Sequence, residues 1–240
     1  MKNYKIVVSY DGTKYNGWQR QGNTQNTIQE KFENVISKMC GMPTEIFASG
    51  RTDRGVHADG QTANFKCNTS LNCQEIKEYL NHYLPEDILV KTVQEADERF
   101  HSRLNAVSKT YEYKIATEKP DVFIRKYVFV TDRKFNIEAM QKGAQKLIGT
   151  HDFIGFSSLG KTKKSTIRTV NFINITEENG IISVKINGNG FLYNMVRIMV
   201  GTLLEIAAGR LAADSIPAII EGRDPALVEG AYTSTRKEGG

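Results

Sequence analysis

"NYKIVVSYDG", residues 3–12, sets Tyr4, Ile6, Val8 and Tyr10 on one side and Lys5, Val7 and Ser9 on the other. Alternation with a period of two predicts a strand with one buried face, ending at the Asp11-Gly12 turn. Beyond it the period changes. "NTIQEKFENVISKM" (26–39) brings Ile28, Phe32, Val35, Ile36 and Met39 onto one helical face, with Thr27 and Glu30 as a capping-box pair. Strands are expected at "TEIFAS" (44–49), "QTANFK" (61–66) and "DILVKTV" (87–93). Between the last two, "CQEIKEYLNHYLP" (73–85) predicts a helix with Ile76, Leu80, Tyr83 and Leu84 inward and Pro85 as its stop. The order β-α-β-β-α-β is the split βαβ arrangement of ferredoxin-like domains.

The rest of the chain repeats this loosely. "SKTYEYKIAT" (108–117) predicts a strand with Tyr111, Tyr113 and Ile115 on one face, and "NIEAMQKGAQKLIG" (136–149) a helix capped by Asn136. Residues 167–188 read as two strands joined at "ENG", whose Asn-Gly favours a tight hairpin turn. "GFLYNMVRIMVGTLLEIAAG" (190–209) reads as a long helix closed by Gly209. The expected fold class is α+β: two ferredoxin-like halves, 1–100 and 101–240, joined near residues 98–106. Together they would form an extended, mainly antiparallel sheet flanked by helices, with a cleft between them.

A chain of 240 residues, 40% hydrophobic and 25% charged, has an ordinary globular composition. Its net charge of +5 suits a polyanionic partner. Cys40, Cys67 and Cys73 are odd in number and spaced for neither a disulfide framework nor a zinc site, so a reducing, cytoplasmic compartment is expected. The first residues have too short an apolar run for a signal peptide. The longest apolar stretch, 191–208, carries Arg197 and Glu205 and therefore reads as a buried helix rather than a membrane span.

"GRTDRGVHADGQ" (50–61) lies between two expected strands, on a loop held by a rigid scaffold. Arg51 and Arg54 lie within two residues of Asp53, and nearby guanidinium groups favour the charged carboxylate. A nucleophile or general base needs that state at neutral pH. Gly50, Gly55 and Gly60 allow sharp turns and close approach of a substrate. Local chemistry leaves two other readings open. One is a solvated loop ion pair. The other is a metal site built from Asp53, His57 and Asp59, which lacks both a second ligand cluster and a typical spacing.

The stretch resembles the G-R-T-D-x-G-V-H-x-x-x-Q signature of the bacterial tRNA pseudouridine synthase A (TruA) family. Other pieces are similar to the family's motifs in the same order: "YDGTKYNGWQRQGNTQNTIQEKFE", "NHYLPEDILV", "RFHSRLNAVSKTYEYKI", "HDFIGFSS", "STIRTV" and "NGNGFLYNMVRIMVGTLLEI". The resemblance covers about residues 4–222 and implies conversion of uridine to pseudouridine in RNA without cofactor or metal. It implies that Asp53 is the catalytic carboxylate, that Arg197 pairs with it, and that Tyr111 stacks on the target uracil. Arg51 would fill the space left by the flipped nucleotide. The apolar neighbours of Arg197 independently demand a partner for its charge. The implied substrate is the tRNA anticodon stem-loop at positions 38–40, and the implied assembly is a homodimer.

Trp18 and Gln19 lie in a loop that the family uses near RNA, though the single tryptophan could equally pack in the core. The lysine-rich "KTKK" (161–164) suits phosphates or plain solvent, and His57 suits an orienting role for the Asp53 loop. The closing "DPALVEGAYTSTRKEGG" (224–240) departs from the family's A-P-x-x-G-L-x-L ending. That departure keeps open the same chemistry on ribosomal or another structured RNA. A non-catalytic RNA-binding module and an N-glycoside hydrolase are the remaining alternatives.

Overall fold

The computed structural model describes residues 1–159 and 165–222. The chain divides into two compact units, Met1–Ala106 and the part from Val107 onward. In the first unit β1 (Lys2–Tyr10), α1 (Ile28–Cys40), β2 (Ile46–Ala48), β3 (Ala58–Cys67), α2 (Cys73–Tyr83) and β4 (Ile88–Ala96) follow in that order. The sheet order is β2-β3-β1-β4, with every pairing antiparallel. This is the split βαβ topology expected from the sequence. The alternation in β1 is realised: Tyr4, Ile6, Val8 and Tyr10 are buried and share one core with Ile28, Phe32 and Ile36 of α1 and Ile76 and Leu80 of α2. Thr27 caps α1, its hydroxyl accepting the Glu30 N–H at 3.3 Å. The reciprocal capping box forms at α2, between Asn72 and Glu75.

Two expectations for this unit are corrected. Helical spacing puts Tyr83 inward, yet it is 58% exposed. It is the last residue of α2, and its ring packs on Tyr79 and His82 rather than into the core, leaving the phenol in water. The odd count and the spacing of the cysteines support no disulfide framework, yet Cys40 and Cys67 are bonded, with Cα atoms 5.7 Å apart, while Cys73 is free. Cys40 ends α1 and Cys67 ends β3, so packing of the helix on the sheet brings the two together.

The second unit contains β5 (Lys109–Ala116), β6 (Phe129–Val130), α3 (Ile137–Gln145), β7 (Gly149–Asp152), β8 (Ile167–Glu178), β9 (Ile181–Gly188), α4 (Met195–Ala207) and α5 (Ile216–Ile220). Its sheet order is β6-β5-β9-β8-β7. The succession β5-α3-β8-β9-α4 repeats the first five elements of the first unit. The place beside β5 that corresponds to β4 beside β1 in the first unit is filled here by β6, which precedes α3 and runs parallel to β5. The β8–β9 hairpin turns through Asn179 (φ 51°) and Gly180 (φ 73°), the two left-handed residues that a tight Asn-Gly turn requires. Asn136 caps α3, accepting the Ala139 N–H at 2.9 Å.

Along α4, only Arg197 and Glu205 escape burial. Glu205 is bound by Arg210, whose Nη2 lies 2.8 Å away, and by Arg133 at 3.7 Å. No described helix is long and apolar enough to cross a membrane.

Candidate active site

The loop after β2 carries Arg51, Asp53 and Arg54, all exposed. Its backbone is fixed from the other side by the end of β1 and the segment leading to α1. The Tyr10 hydroxyl meets Thr52 Oγ1 at 2.8 Å, and the Trp18 N–H donates to the Thr52 carbonyl at 3.0 Å. The Gly55 N–H donates to the Tyr15 carbonyl, and the Val56 N–H closes a tight turn on the Asp53 carbonyl. Two glycines make this contact possible. A Cβ on Gly12 would lie 2.0 Å from the Val56 carbonyl oxygen, and one on Gly17 (φ +86°) would lie 2.6 Å from that of Thr52. Asp53 is thus an exposed carboxylate on a backbone pinned on both flanks.

Buried side chains anchor the clamp in turn. Trp18 is 2% exposed and packs between Tyr10 and Phe32, so it is a core residue rather than a surface for RNA. Gln19 donates to Gln29 Oε1 at 2.9 Å. The Tyr15 hydroxyl donates to Asp87, and burial followed by that bond holds the phenol's pKa well above the ordinary tyrosine value. His57 Nδ1 lies 3.1 Å from the Gly12 nitrogen and 3.0 Å from Asp11 Oδ1. A bare Nδ1 accepts the Gly12 N–H and a protonated one donates to Asp11; both ties hold the loop to the turn after β1.

The alternative reading, a loop ion pair of Asp53 with Arg51 or Arg54, is not formed among the described residues. Exposed charges on adjacent loop positions gain little by pairing. The trio Asp53, His57 and Asp59 is also divided, because His57 turns to Asp11 and Asp59 pairs with Lys91 at 2.5 Å.

The other two candidates lie in the second unit. Tyr111, on β5 opposite Ile186 of β9, is half-buried, with the Phe191 ring edge-on at 5.4 Å. Arg197 lies in the first turn of α4, half-buried, and has no ion-pair partner among the described residues of its own unit. The start of α4 is bent into shape by Asn194 (φ 60°), whose Nδ2 donates to Ser158 Oγ at 3.2 Å. Residues 161–164 and 224–240, the lysine-rich loop and the divergent ending, lie outside the described residues.

The motif reading missed Gly12, Tyr15 and Gly17 as residues that hold the loop, and Phe191 as the partner of Tyr111. "YDGTKYNG" held the signal: three of its residues surround the same backbone.

A family model described as tRNA pseudouridine synthase matches residues 6–105 and 144–238. The chain is 47% identical over 224 residues to tRNA pseudouridine synthase A 2 of Bacillus anthracis, covering 93% of this chain and 91% of the relative. It is 51% identical over 207 residues to tRNA pseudouridine synthase A 1 of Clostridium tetani, covering 86% and 84%. It is 42% identical to tRNA pseudouridine synthase A of Acetivibrio thermocellus over 93% of this chain and 91% of the relative. The chain belongs to the tRNA pseudouridine synthase A family. Its reaction is the family's, an isomerisation of uridine to pseudouridine in tRNA. The loop bearing Asp53 and the helix bearing Arg197 both fall within the residues that the family model matches, whereas Tyr111 lies between the two matched stretches. In this family's reaction the N1–C1′ bond breaks, C5 bonds to C1′, the C5 hydrogen leaves to solvent and N1 gains a proton.

Proposed function

We propose that this synthase acts on uridines 38–40 of the tRNA anticodon arm, with Asp53 as the catalytic carboxylate. The observation that supports Asp53 in that role is the pinned loop: hydrogen bonds on both sides of Asp53 fix its backbone while its carboxylate stays open to solvent. Attack on the ribose and abstraction of a proton from it both need an ionised carboxylate at a fixed point. Arg197 pairs with that carboxylate; its half-buried charge, without an ion-pair partner among the described residues, supports this role. Tyr111 stacks on the target uracil, steadied by the edge of Phe191. Arg51, planar and exposed, fills the gap left by the flipped nucleotide and offsets part of the few kcal/mol that extrusion costs.

The working enzyme is a cytoplasmic homodimer that needs neither metal nor cofactor. Incubation with an unmodified tRNA transcript, followed by carbodiimide treatment and primer extension, tests the target. Stops at 38–40 with wild type, absent with Asp53→Ala, are expected. Stops only at other tRNA positions, or only in ribosomal RNA offered in parallel, would refute the positional assignment.

A further inference from the structure

Far from Asp53 on the same sheet lies an open cavity of about 450 Å³, lined by Phe47, Asn64, Lys66, Glu98, Arg99, Phe100 and His101. Lys66 is eight residues along β3 from Ala58, roughly 27 Å at about 3.4 Å per residue, and β3 begins where the Asp53 loop ends. We propose that this cavity holds an unpaired nucleotide of the substrate tRNA, its base stacked on Phe47 and its phosphate met by Lys66 and Arg99. The inference rests on the reading of the chain as a tRNA-modifying enzyme.

The walls are arranged for that ligand. Phe47 sits on the short edge strand β2, paired with Asn64, and remains 39% exposed. The His101 ring lies against it at 4.8 Å, tilted by 38°, giving a two-ring aromatic platform at the rim. Positive charge surrounds the platform: Lys66 and Arg99 line the cavity, and Lys5 Nζ lies 5.6 Å from the Phe100 ring centroid. Glu98 is the one acidic residue of the lining. Aromatic faces interleaved with cations are what binds single-stranded nucleic acid, because every base has a π-face and every linkage a negative charge.

The platform is also rigid. Residues 97–102 are strapped across the sheet by two asparagines. Asn3 Nδ2 donates to the carbonyls of Asp97 (2.8 Å) and Phe100 (2.9 Å), and Asn64 Oδ1 accepts the Ser102 N–H at 2.8 Å. Asn64 Nδ2 donates to Asn3 Oδ1, tying the strap together. Asn3 is 2% and Asn64 3% exposed, so a strand position that could have carried an apolar residue is spent on holding His101 beside Phe47. A larger opening of about 690 Å³ also has Phe47 and Lys66 in its wall, so the 39% exposed ring borders two openings.

The test is tRNA affinity and steady-state kinetics of the full chain carrying Phe47→Ala, Phe47→Leu, Phe47→Trp or Lys66→Gln, each checked for wild-type thermal melting. Loss of one stacked base weakens binding about 5- to 150-fold. Phe47→Ala and Phe47→Leu should raise Kd and KM by that order, with kcat changing much less, and Phe47→Trp should restore both. Lys66→Gln should reduce the salt slope of binding by about one charge, which Phe47→Leu should not. Wild-type affinity in Phe47→Leu, or a loss confined to kcat, would overturn the proposal. Wild type that releases no C5 hydrogen from tRNA would instead refute the underlying activity, whatever Phe47 does.

Discussion

Replacing Gly12 by alanine tests how the Asp53 loop is held. The new Cβ would lie 2.0 Å from the Val56 carbonyl oxygen, 2.6 Å from its carbon and 3.2 Å from the Gly55 carbon. Side-chain carbons do not approach backbone atoms closer than 3.0 Å, so the gap must open by about 1 Å. Every atom that could give way is backbone, on the stretch just after Asp53. A displacement of about 1 Å at a catalytic group costs on the order of 100-fold in rate, and overpacking costs about 1–3 kcal/mol of stability. Gly12→Ala should therefore lower kcat/KM for tRNA by about 100-fold while tRNA binding, carried by phosphate contacts elsewhere, stays near wild type. Gly22→Ala is the control, because a Cβ there meets nothing within 4 Å. The assay is tritium release from C5-labelled tRNA, with binding by filter retention and melting by circular dichroism. Gly12→Ala within threefold of wild type in kcat/KM, with unchanged melting, would refute the clamp.

Three further outcomes follow from the first unit. Thiol titration of the purified chain should find one reactive thiol, Cys73, before reduction and three after it. Cross-linking residues 27 apart contributes about 3.5 kcal/mol by chain entropy, so dithiothreitol should lower the urea midpoint, whereas three thiols at the outset would refute the pairing. The Tyr15 pKa is raised above its unfolded value near 10 by burial and the Asp87 bond, so its contribution to stability is complete below pH 10 and is lost as pH climbs further. Tyr15→Phe should flatten the alkaline fall in unfolding free energy in part, since Tyr4 is raised in the same direction. Thr27→Ala should cost about 1 kcal/mol in urea unfolding through loss of the α1 cap, and an unchanged midpoint would count against that cap.

What was legible in the chain was whatever local pattern decides. The alternation of Tyr4, Ile6, Val8 and Tyr10, the helical spacing from Ile28 and the Asn179-Gly180 turn each specify their element without help from distant residues. Asp53 and its loop were legible as an ordered motif between strands. What was not legible depends on tertiary approach. Cys40 and Cys67 meet only because α1 lies on the sheet. Arg51 and Arg54 are near Asp53 in sequence, but proximity along a loop does not set side-chain direction. The place of β6 beside β5 cannot be read from two residues, Phe129 and Val130, that carry no period of their own. The clamp on Thr52 and Val56 is made by residues some forty positions earlier, whose small size matters only once the two segments touch.

The central claim is that one carboxylate, Asp53, drives isomerisation of uridine in tRNA. Tritium release from C5-labelled tRNA by wild type and Asp53→Asn, with tRNA affinity measured on the same preparations, tests it most directly. Release by wild type, none by Asp53→Asn, and closely similar affinities for the two are expected. Release by Asp53→Asn at a rate near wild type would contradict it.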